Sequence, residues 1–207
     1  IMKDLAEHRF QRRLMQTAFK TAAMRDYSAA INEICARNVH AMAGMGEFTL
    51  IKQVKQTLLE VAAKVFTGVE GQGQEGDSLT HAFERFVEAF DYIFPINIPG
   101  FKYRKGIQAK EQIDYFIRAM INDKRQNYDQ DILAHFCREK NDEGQFFSDR
   151  DIAENFVLLL FAAQDTTTAS LVNAFYELGR HPVWQQRIRE ESFTIAKGDL
   201  SFDDVAR

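Results

Sequence analysis

Several things are scarce in this chain, and each scarcity closes off a class of protein. No stretch is apolar for long. The best run, residues 156–163, ends at Gln164, whereas a membrane helix needs about 20 predominantly apolar residues. Only two cysteines occur, Cys35 and Cys137, in no C-x-x-C pair and with no histidine pair nearby. That excludes a disulfide scaffold or a zinc site and fits a reducing compartment. Charge of one sign is lacking too: 26 Lys and Arg face 30 Asp and Glu, for a net charge of −4. No global attraction to nucleic acid or anionic lipid follows. The Gly-rich stretch 69–78 is followed by no Lys-Ser/Thr, so it is a loop rather than a phosphate cradle. His40, His81 and His135 have no partner at metal-ligand spacing and read as surface or packing residues. No signal peptide is visible.

What is present is helix. With 45% hydrophobic residues among 207, the chain can build one sizeable core. Residues 148–180 hold no proline and one late glycine, Gly179. Ser148 and Asp151 have the S-x-x-D form of a capping box, and a helix over this span is roughly 45–50 Å long. At its middle the apolar run gives way to Gln164, Asp165, Thr166, Thr167 and Thr168. Threonine hydroxyls compete for backbone carbonyls, and a carboxylate in a core helix is costly unless paired. Two readings stand. The patch is the place where the helix meets solvent, or Asp165 and Thr166 form an acid–alcohol pair in a pocket, able to pass protons to a ligand.

Elsewhere apolar residues recur at helical spacing. Residues 3–27 read as one helix with Leu5, Phe10, Leu14, Met15, Ala18 and Phe19 on a stripe. His8 and Arg12 lie one turn apart on a shared face, either a solvated basic face or a binding pair. Helices are expected at 26–45, at 48–66 closing at Gly68, at 78–93, at 103–126, at 131–140 and from Pro182 to about 196. Phe83, Phe86 and Phe90 form an aromatic stripe of the kind that fills a core. Pro95 and Pro99 force a non-helical connection between two of these helices.

The segment Ala162-Ala163-Gln164-Asp165-Thr166-Thr167 resembles the [AG]-G-x-[DE]-T-[TS] signature in the long central helix of the cytochromes P-450, the haem-thiolate monooxygenases. Gly179-Arg180-His181-Pro182, with Gln185, Arg187, Arg189 and Glu190 after it, is similar to the opening of that family's next helix. His8 and Arg12, ahead of Ala18-Phe19, resemble its [WH]-x-x-x-R element. Ala62 to Gly68, the P-x-N-x-P-G loop from Pro95 to Gly100, and Leu200 to Arg207 also match in order. One departure is Ala163, where the family usually has glycine, which implies a smaller or shifted distortion of the helix.

The resemblance implies a mainly α fold, the helical portion of the cytochrome P-450 fold, around one long central helix (148–180). It implies an incomplete helical domain over 1–207, lacking the N-terminal part and the C-terminal haem-ligand region. The Cys ligand to iron is then expected beyond Arg207, since neither Cys35 nor Cys137 lies in a Gly-rich bulge. Haem b would be the cofactor, with Arg12 and His8 on a propionate (Arg13 being the rival of Arg12) and Ala162 and Ala163 keeping the distal face open. Thr166 would contact bound O2, and Asp165 would link it to bulk protons. Phe161 and Leu158 would wall a pocket for a bulky lipophilic substrate, as in the retinoid, sterol and plant-hormone hydroxylase branch. Electrons would come from a separate ferredoxin or flavoprotein reductase. A cytoplasmic or cytoplasm-facing location is expected, with membrane anchorage left open. The alternatives from other classes are an all-helical ligand-binding module, a helical scaffold protein, and a family remnant without catalysis.

Overall fold

The computed structural model describes residues 5–69, 74–88, 97–127, 129–141, 143–195 and 198–205. Among the described residues there are α-helices and one isolated bridge, Lys140 with Phe146, but no strands. In chain order the helices are α1 (Leu5–Thr17), α2 (Thr21–Ala43), α3 (Leu50–Thr67), α4 (Gln74–Glu88) and α5 (Lys102–Gln126). Then follow α6 (Ile132–Arg138), α7 (Asp149–Arg180), α8 (Pro182–Ile195) and the short α9 (Phe202–Val205). None of the described helices is long and apolar enough to cross a membrane.

α7 organises the rest. Ser148 caps it, its Oγ accepting from the Asp151 N–H at 3.1 Å and donating to the Asp151 carboxylate at 2.5 Å. The helix ends where His181 leaves helical geometry ahead of Pro182, which opens α8. Its first half carries Ile152, Ala153, Phe156, Leu159 and Leu160 into the core. α1, α3, α5 and α6 all pack on α7, and α4 lies against α5 and α3. Phe66 meets Phe156 edge-on at 6.1 Å, and Phe83 and Phe86 are buried as the aromatic stripe implied. Phe90, the third member of that stripe, and the first two residues of the two-proline loop, Pro95 and Ile96, lie outside the described residues.

The ends of two expected helices are corrected. Residues 3–27 do not form one helix: α1 stops at Thr17, and Lys20 is extended, with α2 starting at Thr21. The reason is tertiary. α1 packs on α6 and α7, whereas α2 packs on α3 and α9, and no straight rod reaches both. The helix expected from 78 begins at Gln74, so the Gly-rich loop is shorter than its composition suggests.

One burial runs against sequence expectation. α5 faces the core with Ala109, Ile113, Ile117 and Ile121, and the same stripe continues into Lys124, 5% exposed. Its ammonium donates to Asp131 at 2.5 Å and Asp129 at 2.7 Å. Asp131 is buried as well, and its other oxygen caps α6 at the Ala134 N–H, 2.9 Å away. Gly68, in left-handed geometry at φ 75°, ends α3 against this pair. A Cβ there would come within 2.9 Å of Asp131 Oδ2 and 3.0 Å of Lys124 Nζ. Gly68→Ala is therefore expected to destabilise the fold by about 1–3 kcal/mol, measured by urea titration against wild type.

Candidate functional site

α1 brings His8 and Arg12 to α7. Leu14 and Ala18, fully buried, anchor its other side to the core, so the basic face turns along the groove between α1, α5 and α7. His8, Gln11, Arg12 and Met15 line a cavity of about 500 Å³ there, with Lys110 of α5 and Glu154, Asn155 and Leu158 of α7. The structure thus places His8, Arg12 and Leu158 together, although the sequence separates the first two from the third by most of its length. Arg12 is exposed, with no ion-pair partner among the described residues, whereas Arg13 is engaged and does not line the cavity. Gln11, Met15, Lys110, Glu154 and Asn155 were not legible as site residues. Gln11 and Met15 share the helical face of His8 by spacing, but nothing in the sequence ties Lys110 or Asn155 to α1. Asn155 is buried, its amide donating to the Asp151 carbonyl at 2.8 Å.

Along α7, Leu158, Ala162 and Thr166 recur every fourth residue and so share one face. Thr166 Oγ1 donates to the Ala162 carbonyl at 2.8 Å. The hydroxyl is thereby held against the helix with its oxygen free to accept a further bond. Ala162, Asp165 and Thr166 are all exposed. Asp165 has no hydrogen-bond partner among the described residues, and it does not bond directly to Thr166. Phe161 is half-buried against Phe86, with ring centroids 6.3 Å apart.

The polar cluster is divided between two flanks of α7. Asp165, Thr166 and Thr167 are exposed, while Gln164 and Thr168 are buried. Ala163 lies away from the His8–Arg12 groove and lines a second cavity, between α3, α4 and α7.

The remaining titratable candidates are placed by packing. His135 stands edge-on to Tyr27 with ring centroids 6.4 Å apart, and burial, with a lesser push from Arg138, lowers its pKa. His81 is exposed beside Glu84, and His40 is exposed. Cys137 is fully buried, and burial pushes its thiol up to about 12. Burial likewise raises Cys35. Neither environment favours the thiolate that binds metals.

A profile of the Cytochrome P450 family matches residues 1–207. The putative cytochrome P450 136 of Mycobacterium tuberculosis is 30% identical over 210 residues, covering 99% of this chain and 42% of that protein. The taxane 13-alpha-hydroxylase of Taxus cuspidata is 24% identical, covering 97% of this chain and 42% of that protein. Among solved structures, the retinoic acid-bound cyanobacterial CYP120A1 superposes with a TM-score of 0.83 at 23% identity, over 96% of this chain and 45% of that one. The chain therefore spans less than half the length of these relatives. Its order of helices, its Thr166-bearing central helix and a family match along its whole length agree: the chain belongs to the cytochrome P450 family.

Proposed function

We propose that this chain is the central helical part of a haem-dependent monooxygenase that hydroxylates a bulky lipophilic substrate. The observation that carries this reading is the shared cavity of His8, Arg12 and Leu158, one helix face along from Thr166. The donor set suits haem b at its carboxylate edge: an exposed guanidinium with no ion-pair partner among the described residues, and an imidazole one turn away. Arg12 would bind a propionate through charge-assisted hydrogen bonds, and His8 would donate another. The group, when bound through a cysteine beyond Arg207, supplies the activation of O2.

This chain's residues handle protons and space. Thr166 Oγ1, its own proton directed to the Ala162 carbonyl, presents lone pairs and can hand a proton across the helix face. Asp165, exposed on the next position, exchanges protons with bulk water. Ala162 leaves room on that face, and Leu158 offers the substrate an apolar wall. Phe161, three residues after Leu158 on α7, adds to that wall, and Ala163 acts from the far flank by setting the position of this turn. In the overall reaction one oxygen atom of O2 enters a substrate C–H bond and the other leaves as water. Two protons are consumed, along with two electrons from a ferredoxin or flavoprotein reductase. The relatives' printed names, a taxane hydroxylase and a retinoic acid complex among them, support a terpenoid-sized substrate.

The second half of α7 and α8 exposes Phe175, Tyr176, Val183, Trp184, Ile188 and Phe193. So many large apolar side chains exposed on two consecutive helices belong against further protein, in keeping with an incomplete domain. We place the protein in, or facing, the cytoplasm.

Haem content and substrate turnover of the intact protein test the reading. Arg12→Ala is expected to weaken haem retention by about tenfold or more, read from the Soret absorbance after dilution or competition with apomyoglobin. Unchanged retention removes Arg12 from the propionate contact. Haem incorporation without turnover of any lipophilic substrate favours the non-catalytic remnant.

A further inference from the structure

α7 has a second built flank, turned away from the groove that holds His8 and Arg12. There Leu58, Ala62 and Phe66 of α3, Phe83 of α4, and Leu160 and Gln164 of α7 surround a cavity of about 200 Å³. Its walls are almost wholly hydrocarbon. Gln164 and Thr167, both on α7, are the polar exceptions; Thr167 is exposed, whereas Gln164 is 8% exposed and its Oε1 is buried with no hydrogen-bond partner among the described residues. One turn further along, Thr168 is 3% exposed and its Oγ1 is in the same condition.

Buried polar oxygens are normally satisfied, and leaving them bare costs free energy. The α3 and α4 residues that face this site are hydrocarbons and cannot donate. Water is a poor occupant, because an internal water wants two to four polar partners, and beside Gln164 the wall offers only the exposed Thr167 hydroxyl, the rest being carbon. By contrast, an apolar cavity of about 150 Å³ stays dry and takes up benzene. The volume here is of that order, with one polar corner added. The complementary molecule is therefore a single apolar ring that carries one hydroxyl.

We propose that the cavity between α3, α4 and α7 is a binding site for a small single-ring phenol. The ring lies among Leu58, Ala62, Phe66, Phe83 and Leu160, and the hydroxyl donates to Gln164 Oε1. The site is distinct from the proposed haem and substrate face and does not depend on it. Ala163 forms part of its wall, so an occupant rests against the same turn of α7 that carries Ala162 and Thr166.

The probes are phenol and benzene, titrated into the full chain without haem and followed by calorimetry and by methyl resonances of Leu58, Val61 and Leu160. Phenol is expected to bind at least about tenfold more tightly than benzene, with shifts centred on those methyl groups. Gln164→Leu is expected to erase the preference while benzene still binds. Ala62→Leu, which fills the cavity, should abolish both, with the helical circular dichroism unchanged. Should Ala62→Leu unfold the chain, the phenol-to-benzene ratio in Gln164→Leu decides alone. Equal affinity for the two probes, no binding of either, or a phenol preference that survives Gln164→Leu overturns the proposal. Because no haem is present, these outcomes are read separately from any failure of the monooxygenase reading.

Discussion

Thr166→Ala in the intact enzyme is expected to keep its haem spectrum while product formed per electron consumed falls by on the order of 10²-fold. The missing equivalents should appear as hydrogen peroxide. The expectation rests on one hydroxyl. Thr166 Oγ1 is held by the Ala162 carbonyl at 2.8 Å, and the other hydroxyl on the Leu158–Ala162–Thr166 face, Ser170, lies a full turn further from Leu158 and the groove. Thr167 cannot stand in for it, because Thr167 lines the cavity on the opposite flank. Serine at 166 keeps the oxygen and should restore most of the coupling, whereas valine keeps the shape and should not. Measured together, NADPH or reduced-ferredoxin consumption, product and peroxide separate the proton role from a packing role. Full coupling in Thr166→Ala would remove this residue from proton delivery and leave Asp165 with no route to the reacting face.

The second large effect concerns the fold. Lys124→Met is expected to cost about 3–5 kcal/mol, because it leaves the Asp131 carboxylate buried without its cation. Adding Asp131→Asn to it should recover much of the loss. The asparagine keeps the oxygen that caps Ala134 and removes the stranded charge. Urea denaturation of the two variants tests this directly, and equal stability of single and double variants would contradict it. The pair also sets an alkaline limit. Burial lowers the Lys124 pKa, and the hydrogen bonds and charges of Asp129 and Asp131 outweigh it, leaving the folded value above the ordinary 10.5. The folded state thus holds this proton more tightly than the unfolded chain does. Its contribution is complete below about pH 10.5 and is lost as pH rises through the folded value.

Much of the architecture was legible because it rests on local rules. Ser148 and Asp151 mark the start of α7, and His181-Pro182 marks its end, whatever surrounds them. Gly68 ends α3 where its left-handed geometry requires a residue without a side chain. The motif from Ala162 to Thr167, with His8 and Arg12, was enough to identify the family, since it consists of residue types at fixed spacing. The interruption at Lys20 was not legible, because the apolar pattern continues unbroken through residues 14–24. The burial of Lys124 was not legible, because a lysine in a mixed helix normally lies on its solvated side. Only Asp129 and Asp131, supplied by the following turn, make its burial tolerable.

The central cluster shows the division most clearly. By itself the sequence determined that Gln164 to Thr168 interrupt the best helix of the chain, and that such an interruption marks a site. The tertiary structure alone decided that there are two flanks. α3 and α4 cover Ala163 and Gln164, and Thr168 is buried, while Ala162, Asp165 and Thr166 stay exposed on the face that continues from Leu158. Helical spacing says which residues share a face, but which face is covered depends on segments far away in the chain that pack against it. That information lies in the burial of Leu14, Leu59 and Ile113, in no property of residues 164–168.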